Sequence, residues 1–312
     1  AEGAVPLLVR RRQLPWHLAG TQARPGGAQT TMSHSPIRWP AEAIWQAVAP
    51  QLPGFTIEVL PCIDSTNTEL MRRARAGRCE PILLVAEQQT AGRGRLGREW
   101  HSGTDAASLT FSLGLPLAPL DWSGLSLAVG VSVAESLQPL LPAPDSRTPR
   151  IGLKWPNDLW LGGAAGERKL GGILVETASF VAPQRPALGS AVAPRYVVVG
   201  VGLNVLPRAD AGLSIPAGCL QEVDAALDAP TALARIAAPL VAMLQSFELY
   251  GFEPMQPRFA LRDVLQERLV TLSDGSRGTA HGVAPDGALL VHTAQGMQSV
   301  TSADVSVRPA PS

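Results

Sequence analysis

The sequence has few cysteines, and they lack the arrangement that a disulfide framework or a zinc site requires. Cys62, Cys79 and Cys219 are odd in number and far apart along the chain. The five histidines show no metal-ligand spacing such as HxxxH, so no metal held directly by the protein is expected. These features exclude a disulfide-rich secreted protein and favour a reducing, cytoplasmic environment.

Long apolar runs and an excess of one charge are also missing. No run approaches the roughly 20 apolar residues needed to cross a bilayer, so we expect no membrane partner. The 26 basic residues balance the 26 acidic ones, which excludes a general attraction to DNA, RNA or anionic lipid. Any anion-binding site must therefore be local. Hydrophobic residues make up 46% of the 312 residues, enough to bury a full core.

Lysine is the scarcest of the charged residues. Of the 26 basic residues only Lys154 and Lys169 are lysine, and the other 24 are arginine. One interpretation is a chance remnant of biased composition. The other is that these positions need a compact ammonium group, which a planar guanidinium does not replace.

Regular patterning begins late in the chain. Residues 1–35 carry arginine, proline and glycine without apolar periodicity, and we predict a disordered extension. Residues 36–265 alternate between strand and helix patterns. Strands are predicted over 55–62, 82–86, 108–115, 151–155, 170–176 and 196–204, and helices over 41–52, 66–76, 122–141, 231–250 and 256–264. Few helices separate the last three strands, which favours an α+β fold with a mixed or antiparallel sheet.

The helix at 66–76 has its own start and stop signals. Thr66 and Glu69 form a capping-box pattern, and Gly77 follows the last apolar position. The pattern changes again after Gln266, where short alternating strands are separated by turn residues. Residues 266–312 therefore predict a small C-terminal β-barrel domain.

A glycine-rich loop at residues 92–98 carries three arginines. It matches the GxGxxG expression of dinucleotide folds, but the residues after it do not start a helix, so that interpretation fails on context. Arg93, Arg95 and Arg98 instead suggest a cationic flap that closes on phosphate oxygens. A solvated basic loop is the plainer alternative.

Both lysines lie in a predicted hairpin. Lys154 starts a turn sequence that continues Trp155-Pro156-Asn157-Asp158, and Lys169 precedes Leu170-Gly171-Gly172. We predict that the Lys169 segment is the return strand of this hairpin. Two adjacent glycines in a strand allow another backbone or a ligand to approach closely.

Together these motifs resemble the biotin protein ligases, in order and spacing, over roughly residues 55–308. The matching stretches are residues 64–67 (DSTN), 89–95 (QTAGRGR), 154–158 (KWPND), 169–174 (KLGGIL) and 200–204 (GVGLN). The resemblance implies the catalytic fold shared with class II aminoacyl-tRNA synthetases and lipoate ligases, followed by an SH3-like domain. It also implies biotin and ATP as substrates, Mg²⁺ brought in with ATP, and the biotin carboxyl carrier protein of acetyl-CoA carboxylase as acceptor. Some relatives carry an N-terminal DNA-binding domain, for which we see no room here, so the monofunctional type is expected.

The resemblance also assigns residues. Lys169, Arg93 and Arg95 are expected to be catalytic. The biotin site is expected to include Ser65, Thr66, Asn67, Gln89, Gly92, Arg93, Gly94, Arg95, Lys169 and Gly172. Nucleotide contacts are expected from Arg93, Arg95, Arg98, Trp100, Asn157, Asp158, Lys169 and Asn204, with Mg²⁺ near Asp158.

Two other functions stay open at this point. A lipoate or octanoate ligase or transferase shares the fold, although a thioester route requires a reactive cysteine that no motif contains. A nucleotide- or RNA-binding module without enzymatic activity would use the arginine-rich loop alone. Balanced charge and few aromatic residues count against that module.

Overall fold

The computed structural model describes residues 37–103, 106–143, 146–163, 166–179, 193–208, 215–272, 275–301 and 308–309. The extension predicted for residues 1–35 lies outside this part of the chain. The helices are α1 (Ala41–Val48), α2 (Thr66–Arg75), α3 (Leu125–Leu137), α4 (Ala229–Tyr250) and α5 (Gln256–Ala260). The first strands are β1 (Thr56–Ile63), β2 (Ile82–Gln89), β3 (Gly92–Arg93), β4 (Glu99–Trp100), β5 (Ser108–Leu117), β6 (Arg150–Lys154), β7 (Asp158–Gly162), β8 (Arg168–Ser179) and β9 (Arg195–Asn204). The C-terminal strands are β10 (Leu269–Thr271), β11 (Arg277–Val283), β12 (Leu289–Thr293), β13 (Gly296–Val300) and β14 (Arg308–Pro309).

A seven-stranded sheet forms the centre of the molecule, in the order β1-β2-β5-β9-β8-β7-β6. Its first pair is parallel and every other pair is antiparallel, as predicted from the sparse helices between the later strands. Successive side chains of a strand point to opposite faces. Val197 and Val199 therefore belong to the main core with α3 and α4, whereas Val198 packs with α2 on the other face.

The start of α2 corrects one sequence prediction. Its N-cap is Ser65, in extended backbone conformation, and the Ser65 hydroxyl accepts a hydrogen bond from Thr68 N at 3.4 Å. Thr66 is thus the first helical residue, and its hydroxyl is available for contacts elsewhere. The capping pattern located the helix start within one residue.

The prediction that the Lys169 segment returns directly from the Lys154 turn is wrong. The return strand is β7, which pairs with β6 from Lys154↔Asp158 to Arg150↔Gly162. Lys169 lies on β8, the next strand, where it pairs with Trp160 of β7. The turn residues predicted a hairpin, but β7 is short and follows the turn without a separate signal.

A second, five-stranded antiparallel sheet follows α5, in the order β13-β12-β11-β10-β14. Among the described residues no further pairing closes this sheet into a barrel. Its β11–β12 turn contacts the large sheet, since Trp155 Nε1 donates to Gly287 O at 3.1 Å. The second sheet thereby touches the 154–158 turn directly.

Helix α4 is long and apolar enough to span a membrane, and within the described ranges it is the one helix of this kind. Residues such as Leu233, Ile236 and Leu240 are buried in the core, where α4 packs on α1, α3 and β5. Pro239 is accommodated inside the helix, as predicted. Burial in the core explains its composition without a membrane.

Candidate active site

A cleft with about 730 Å³ of space, open to solvent, lies where α2, the 92–98 loop and the 154–158 turn meet the sheet. The cleft is lined by Ser65, Thr66, Asn67, Gln89, Arg93, Gly94, Arg95, Arg98, Glu99, Trp100, Thr110, Phe111, Asn157, Asp158, Lys169, Gly172, Ile173, Leu174, Gly200, Val201 and Gly202. All the site residues expected from the sequence lie on it except Gly92 and Asn204. Segments more than a hundred residues apart thus meet in one place.

One end of the cleft, the neutral end, consists of Ser65, Thr66, Asn67 and Gln89. Gln89 Oε1 accepts from Thr66 N at 2.8 Å and lies 3.1 Å from Thr66 Oγ1. A backbone N–H only donates, so this contact identifies the Gln89 oxygen and directs the Nε2 donors elsewhere. The neutral end therefore offers uncharged donors and acceptors.

A buried network supports the neutral end from behind. Asn67 Nδ2 donates to Leu174 O at 3.2 Å and to Glu176 Oε2 at 3.0 Å. Ser112 Oγ lies 2.6 Å from Asn67 Oδ1 and 2.7 Å from Thr66 Oγ1. Asn67, Thr66 and Ser112 are each less than 5% exposed, so water does not replace these bonds.

The loop at 92–98, called the flap loop here, lines the cleft; it begins with the short strand β3 and leads into β4. Arg93 contacts Thr68 Oγ1 and Glu176 Oε1, each at 3.4 Å, which ties the loop to the pocket wall. At Gly92, a Cβ atom would lie 2.3 Å from Trp100 O and 2.9 Å from Gln89 Nε2. Gly92 therefore does not line the cleft; it lets β4 and Gln89 approach the loop.

Trp100 packs at the same level as the flap loop. Its indole lies on Gly202 of β9, where a Cβ would approach Trp100 Cε2 to 2.5 Å. Only glycine leaves room for the indole there. Trp100 Nε1 is buried, and the described part of the protein supplies no acceptor for it.

The other end of the cleft, the charged end, consists of Arg95, Arg98, Asp158 and Lys169. Lys169 Nζ donates to Asp158 Oδ1 at 2.7 Å across the β7–β8 pair. Burial lowers the pKa of Arg95, an effect that nearby Asp158 opposes and Arg98 reinforces. The charged end therefore holds three cations against the single carboxylate of its pair.

Asn157 and Gly172 hold the charged end together. Asn157 Nδ2 donates to Ile173 O, and Ile173 N donates to Asn157 O, both at 2.9 Å. A Cβ at Gly172 would lie 3.6 Å from Asp158 Oδ1, so this glycine faces the Lys169–Asp158 pair. At Gly171 the same atom would meet Gly202 O at 2.3 Å, which requires glycine for strand packing.

Asn204 and Lys154 lie outside the cleft. Asn204 Nδ2 donates to Lys169 O at 3.2 Å and to Gly218 O at 3.1 Å, so it supports the Lys169 backbone from behind. Lys154 is 8% exposed, and its Nζ lies 4.8 Å from the centre of the Trp160 ring. Of the two lysines, only Lys169 reaches the cleft.

Several cleft residues escaped the sequence analysis. Thr110 and Phe111 belong to a strand that the sequence identifies only as apolar core. Ile173, Leu174 and Val201 lie within matched motifs but were not assigned to the site. Glu176 and Ser112 lie behind the wall of the cleft, in contact with Asn67, and the sequence analysis gave neither a role in the site. The alternation of polar Thr110 and Ser112 in a buried strand was the one available signal.

The described residues contain no cluster of three or more histidines, cysteines or acidic groups that could hold a metal ion by itself. The cleft instead combines a neutral hydrogen-bonding end with a cationic end. This arrangement suits a ligand with a polar uncharged head and an anionic tail, and it suits reactions between anions.

Comparison with known proteins identifies the family. Residues 59–190 match the Biotin/lipoate A/B protein ligase family, and residues 269–308 match the Biotin protein ligase C terminal domain. The Bifunctional ligase/repressor BirA of Escherichia coli is 34% identical over 266 residues, which cover 83% of this chain and 76% of that protein. The chain belongs to the biotin protein ligase family.

Other relatives support the same family assignment. The Biotin--[acetyl-CoA-carboxylase] ligase of Paracoccus denitrificans is 30% identical over 253 residues, which cover 78% of this chain and 96% of that one. The biotin protein ligase from Aquifex aeolicus in complex with biotin and ATP superposes with a TM-score of 0.63 at 25% identity, covering 81% of this chain and 99% of that one. The predicted α+β fold is thereby confirmed.

Proposed function

We propose that the ligase forms biotinyl-5'-AMP from biotin and ATP in this cleft and transfers the biotinyl group to a lysine of an acceptor protein. The observation that carries the proposal is the division of the cleft into a neutral and a charged end. Biotin has the same division, since a cyclic urea lies at one end and a carboxylate at the other.

The neutral end favours biotin over lipoate or octanoate. A cyclic urea has one carbonyl acceptor flanked by two N–H donors, and it can satisfy Gln89 Nε2 together with the Ser65 and Thr66 hydroxyls. A dithiolane ring or an alkyl chain would leave these polar groups unpaired. Each such group costs about 1–3 kcal/mol when it is buried without a partner. The lipoate alternative therefore fits this end poorly.

The charged end fits the chemistry of activation. In the first step a biotin carboxylate oxygen attacks the α-phosphorus of ATP, an O–P bond forms, and pyrophosphate leaves. Attack by one anion on another needs neutralising charge, for which Lys169, Arg95 and Arg93 are assigned here as the catalytic residues. In the second step the acceptor amine attacks the acyl carbon and AMP leaves, while the amine releases a proton.

The remaining assignments are part of the same proposal. Trp100 packs on the adenine, Arg98 and Asn157 contact the phosphates, and Asn204 acts through the Lys169 backbone. Mg²⁺ usually binds one or two carboxylates together with substrate phosphates, and the lone carboxylate of Asp158 at the charged end fits that pattern. When bound with ATP it would supply further neutralising charge.

The acceptor and the setting are also proposed. The names of the relatives from Paracoccus denitrificans and Mycobacterium tuberculosis specify acetyl-CoA carboxylase, so the biotin carboxyl carrier protein of that enzyme is the proposed acceptor. Cys62, Cys79 and Cys219 are all free thiols, which suits the cytoplasm. We assign residues 36–265 to the catalytic domain and 266–312 to an SH3-like domain.

One assay tests the proposal. Exchange of labelled pyrophosphate into ATP should depend on biotin and should not respond to lipoate or octanoate at the same concentration. Exchange that responds equally to lipoate would contradict the assignment. A purified acceptor domain should then become biotinylated on a single lysine, as measured by mass spectrometry.

A further inference from the structure

Glu176 ends the Lys169 stretch that the sequence singles out, two residues beyond the KLGGIL match, and lies behind the neutral end, on β8. We propose that Glu176 is a positioning residue: together with the Leu174 carbonyl, it determines which groups at the neutral end accept hydrogen bonds and which donate them. The ligase thereby selects a cyclic urea over rings of the same shape. This inference rests on the proposed function.

The orientation of the Asn67 amide is the first step. One of its two terminal atoms contacts Leu174 O at 3.2 Å and Glu176 Oε2 at 3.0 Å. A carbonyl and a carboxylate oxygen only accept, so the Asn67 atom facing them must be the nitrogen. The bond to the charged carboxylate is the stronger of the two. Asn67 Oδ1 is therefore directed at Ser112.

The direction of the hydroxyl bonds follows from that orientation. Ser112 Oγ lies 2.6 Å from Asn67 Oδ1 and 2.7 Å from Thr66 Oγ1, but a hydroxyl has a single proton. Since Asn67 Oδ1 cannot donate, the Ser112 proton lies on that bond. The proton between Ser112 and Thr66 must then come from Thr66. Thr66 Oγ1 is left with lone pairs only.

Each hydrogen bond in the series from Thr66 through Ser112 and Asn67 is thus donated in the direction of the Glu176 carboxylate. The contact from Thr66 Oγ1 to Gln89 Oε1 is longer, at 3.1 Å, and that oxygen already receives the Thr66 backbone N–H at 2.8 Å. Thr66, Asn67 and Ser112 are 3%, 4% and 0% exposed, so reversal of the series would leave buried groups unpaired. In the hydrogen-bonded series of Thr66, Ser112, Asn67 and Glu176, only the carboxylate of Glu176 has no proton to donate.

The backbone leaves room for this series of hydrogen bonds. A Cβ at Gly200 would lie 2.1 Å from Asn67 Oδ1, so glycine is required for the amide to reach Ser112. Arg93 contacts the second Glu176 oxygen at 3.4 Å and compensates part of its charge. The cleft therefore presents an acceptor at Thr66 and donors at Gln89. A ring N–H beside a ring carbonyl, as in a cyclic urea, matches both.

Glu176→Gln is the test, because the amide keeps the shape but can turn its nitrogen towards Asn67. Glu58→Gln is the matched control: Glu58 lies on β1 of the same sheet, its side chain is 23% exposed against 22% for Glu176, and it also pairs with an arginine, Arg73. For Glu176→Gln we expect the KM for biotin in pyrophosphate exchange to rise about tenfold, with kcat within about twofold of wild type. Glu58→Gln should change neither.

Ring analogues separate polarity from general damage. In cyclic carbamate analogues of biotin an oxygen replaces one ureido N–H, which places two acceptors together at Thr66. The wild type should discriminate against the analogue that makes this contact. The ratio of analogue KM to biotin KM should fall severalfold in Glu176→Gln and stay unchanged in Glu58→Gln. Ser112→Ala frees the Thr66 proton, so it should also lower the ratio of analogue KM to biotin KM.

Equal KM values and equal ratios in the two glutamine variants would overturn the role of Glu176, and so would an unchanged ratio in Ser112→Ala. A wild-type enzyme without biotin-dependent exchange would instead contradict the proposed function itself. Measurements well below each melting temperature keep differences in stability out of the comparison.

Discussion

The two ends of the cleft are built from different kinds of structural element. Thr66, Asn67 and Gln89 at the neutral end come from regular elements, α2 and β2, and are held by buried hydrogen bonds. At the charged end Asp158 and Lys169 also lie on strands, β7 and β8, but Arg95 and Arg98 come from the flap loop. One end is set before the ligand arrives, whereas the other is completed by chain segments with fewer constraints.

This difference predicts a division of labour. Preorganised neutral groups contribute equally to substrate and transition state, so their loss should appear in KM. Cationic groups meet charge that develops during the reaction, so their loss should appear in kcat. Four substitutions test this division, from the largest expected effect to the smallest.

Lys169→Arg should give the largest effect. The guanidinium is larger and planar, so it should misplace the carboxylate and the α-phosphate although the net charge is kept. We expect the rate of adenylation to fall roughly a hundredfold, with biotin affinity nearly unchanged. Single-turnover kinetics and calorimetry measure the two quantities.

Arg168→Lys is the control for this charge-conserving change. Arg168 is the neighbour of Lys169 on β8, but it pairs with Glu222 outside the cleft. Its adenylation rate should stay near that of the wild type. Near-normal exchange in Lys169→Arg would show that the lysine is a remnant of composition.

Arg95→Gly should shorten the half-life of bound biotinyl-AMP by roughly thirtyfold, because a charge-assisted contact to the phosphate is lost. Release of radiolabelled adenylate measures it. Leu96→Gly controls for flexibility, since it adds a glycine to the flap loop without removing charge. Leu96 has φ +55° in the left-handed region, so glycine suits that position. Equal half-lives in the two variants would assign the effect to flexibility.

Thr66→Val should raise the KM for biotin about tenfold and leave kcat nearly unchanged, because an isosteric methyl replaces a hydrogen-bonding hydroxyl at the neutral end. Steady-state exchange kinetics separate the two constants. Thr293→Val removes a comparably buried hydroxyl, which bonds Gly296 O at 3.1 Å in the second sheet. A loss of kcat in Thr66→Val would contradict the division between the ends.

Gly287→Ala should have the smallest effect, a roughly threefold loss of adenylation rate. A Cβ there would lie 2.6 Å from Gly124 Cα, and the Gly287 carbonyl holds Trp155, next to the turn that carries Asn157 and Asp158. Gly296→Ala is the control, because Gly296 also has positive φ but no atom within 4 Å of a Cβ. Both variants carry the cost of positive φ in thermal unfolding, and Gly287→Ala should lose more stability because its Cβ also meets the Gly124 backbone. Equal rates would show that the second sheet does not support the charged end.

Much of the fold was predictable because its signals are local. The short apolar run over residues 196–204 predicted β9, and the apolar pattern predicted α4 despite Pro239. The missed strand β7 has a different cause. A turn sequence predicts that the chain reverses, but which downstream segment pairs with β6 depends on contacts with the rest of the sheet.

For the site, the sequence by itself determined the chemistry: a lysine kept in an arginine-rich chain, a glycine-rich cationic loop, and polar residues at the start of a helix. Only the tertiary structure decided which of these groups meet and which way their hydrogen bonds run. Asn67, Ser112 and Glu176 come from α2, β5 and β8, and their proton order depends on distances between those elements. Hydrogen-bond direction is a property of neighbours in space, so only the packed sheet reveals it.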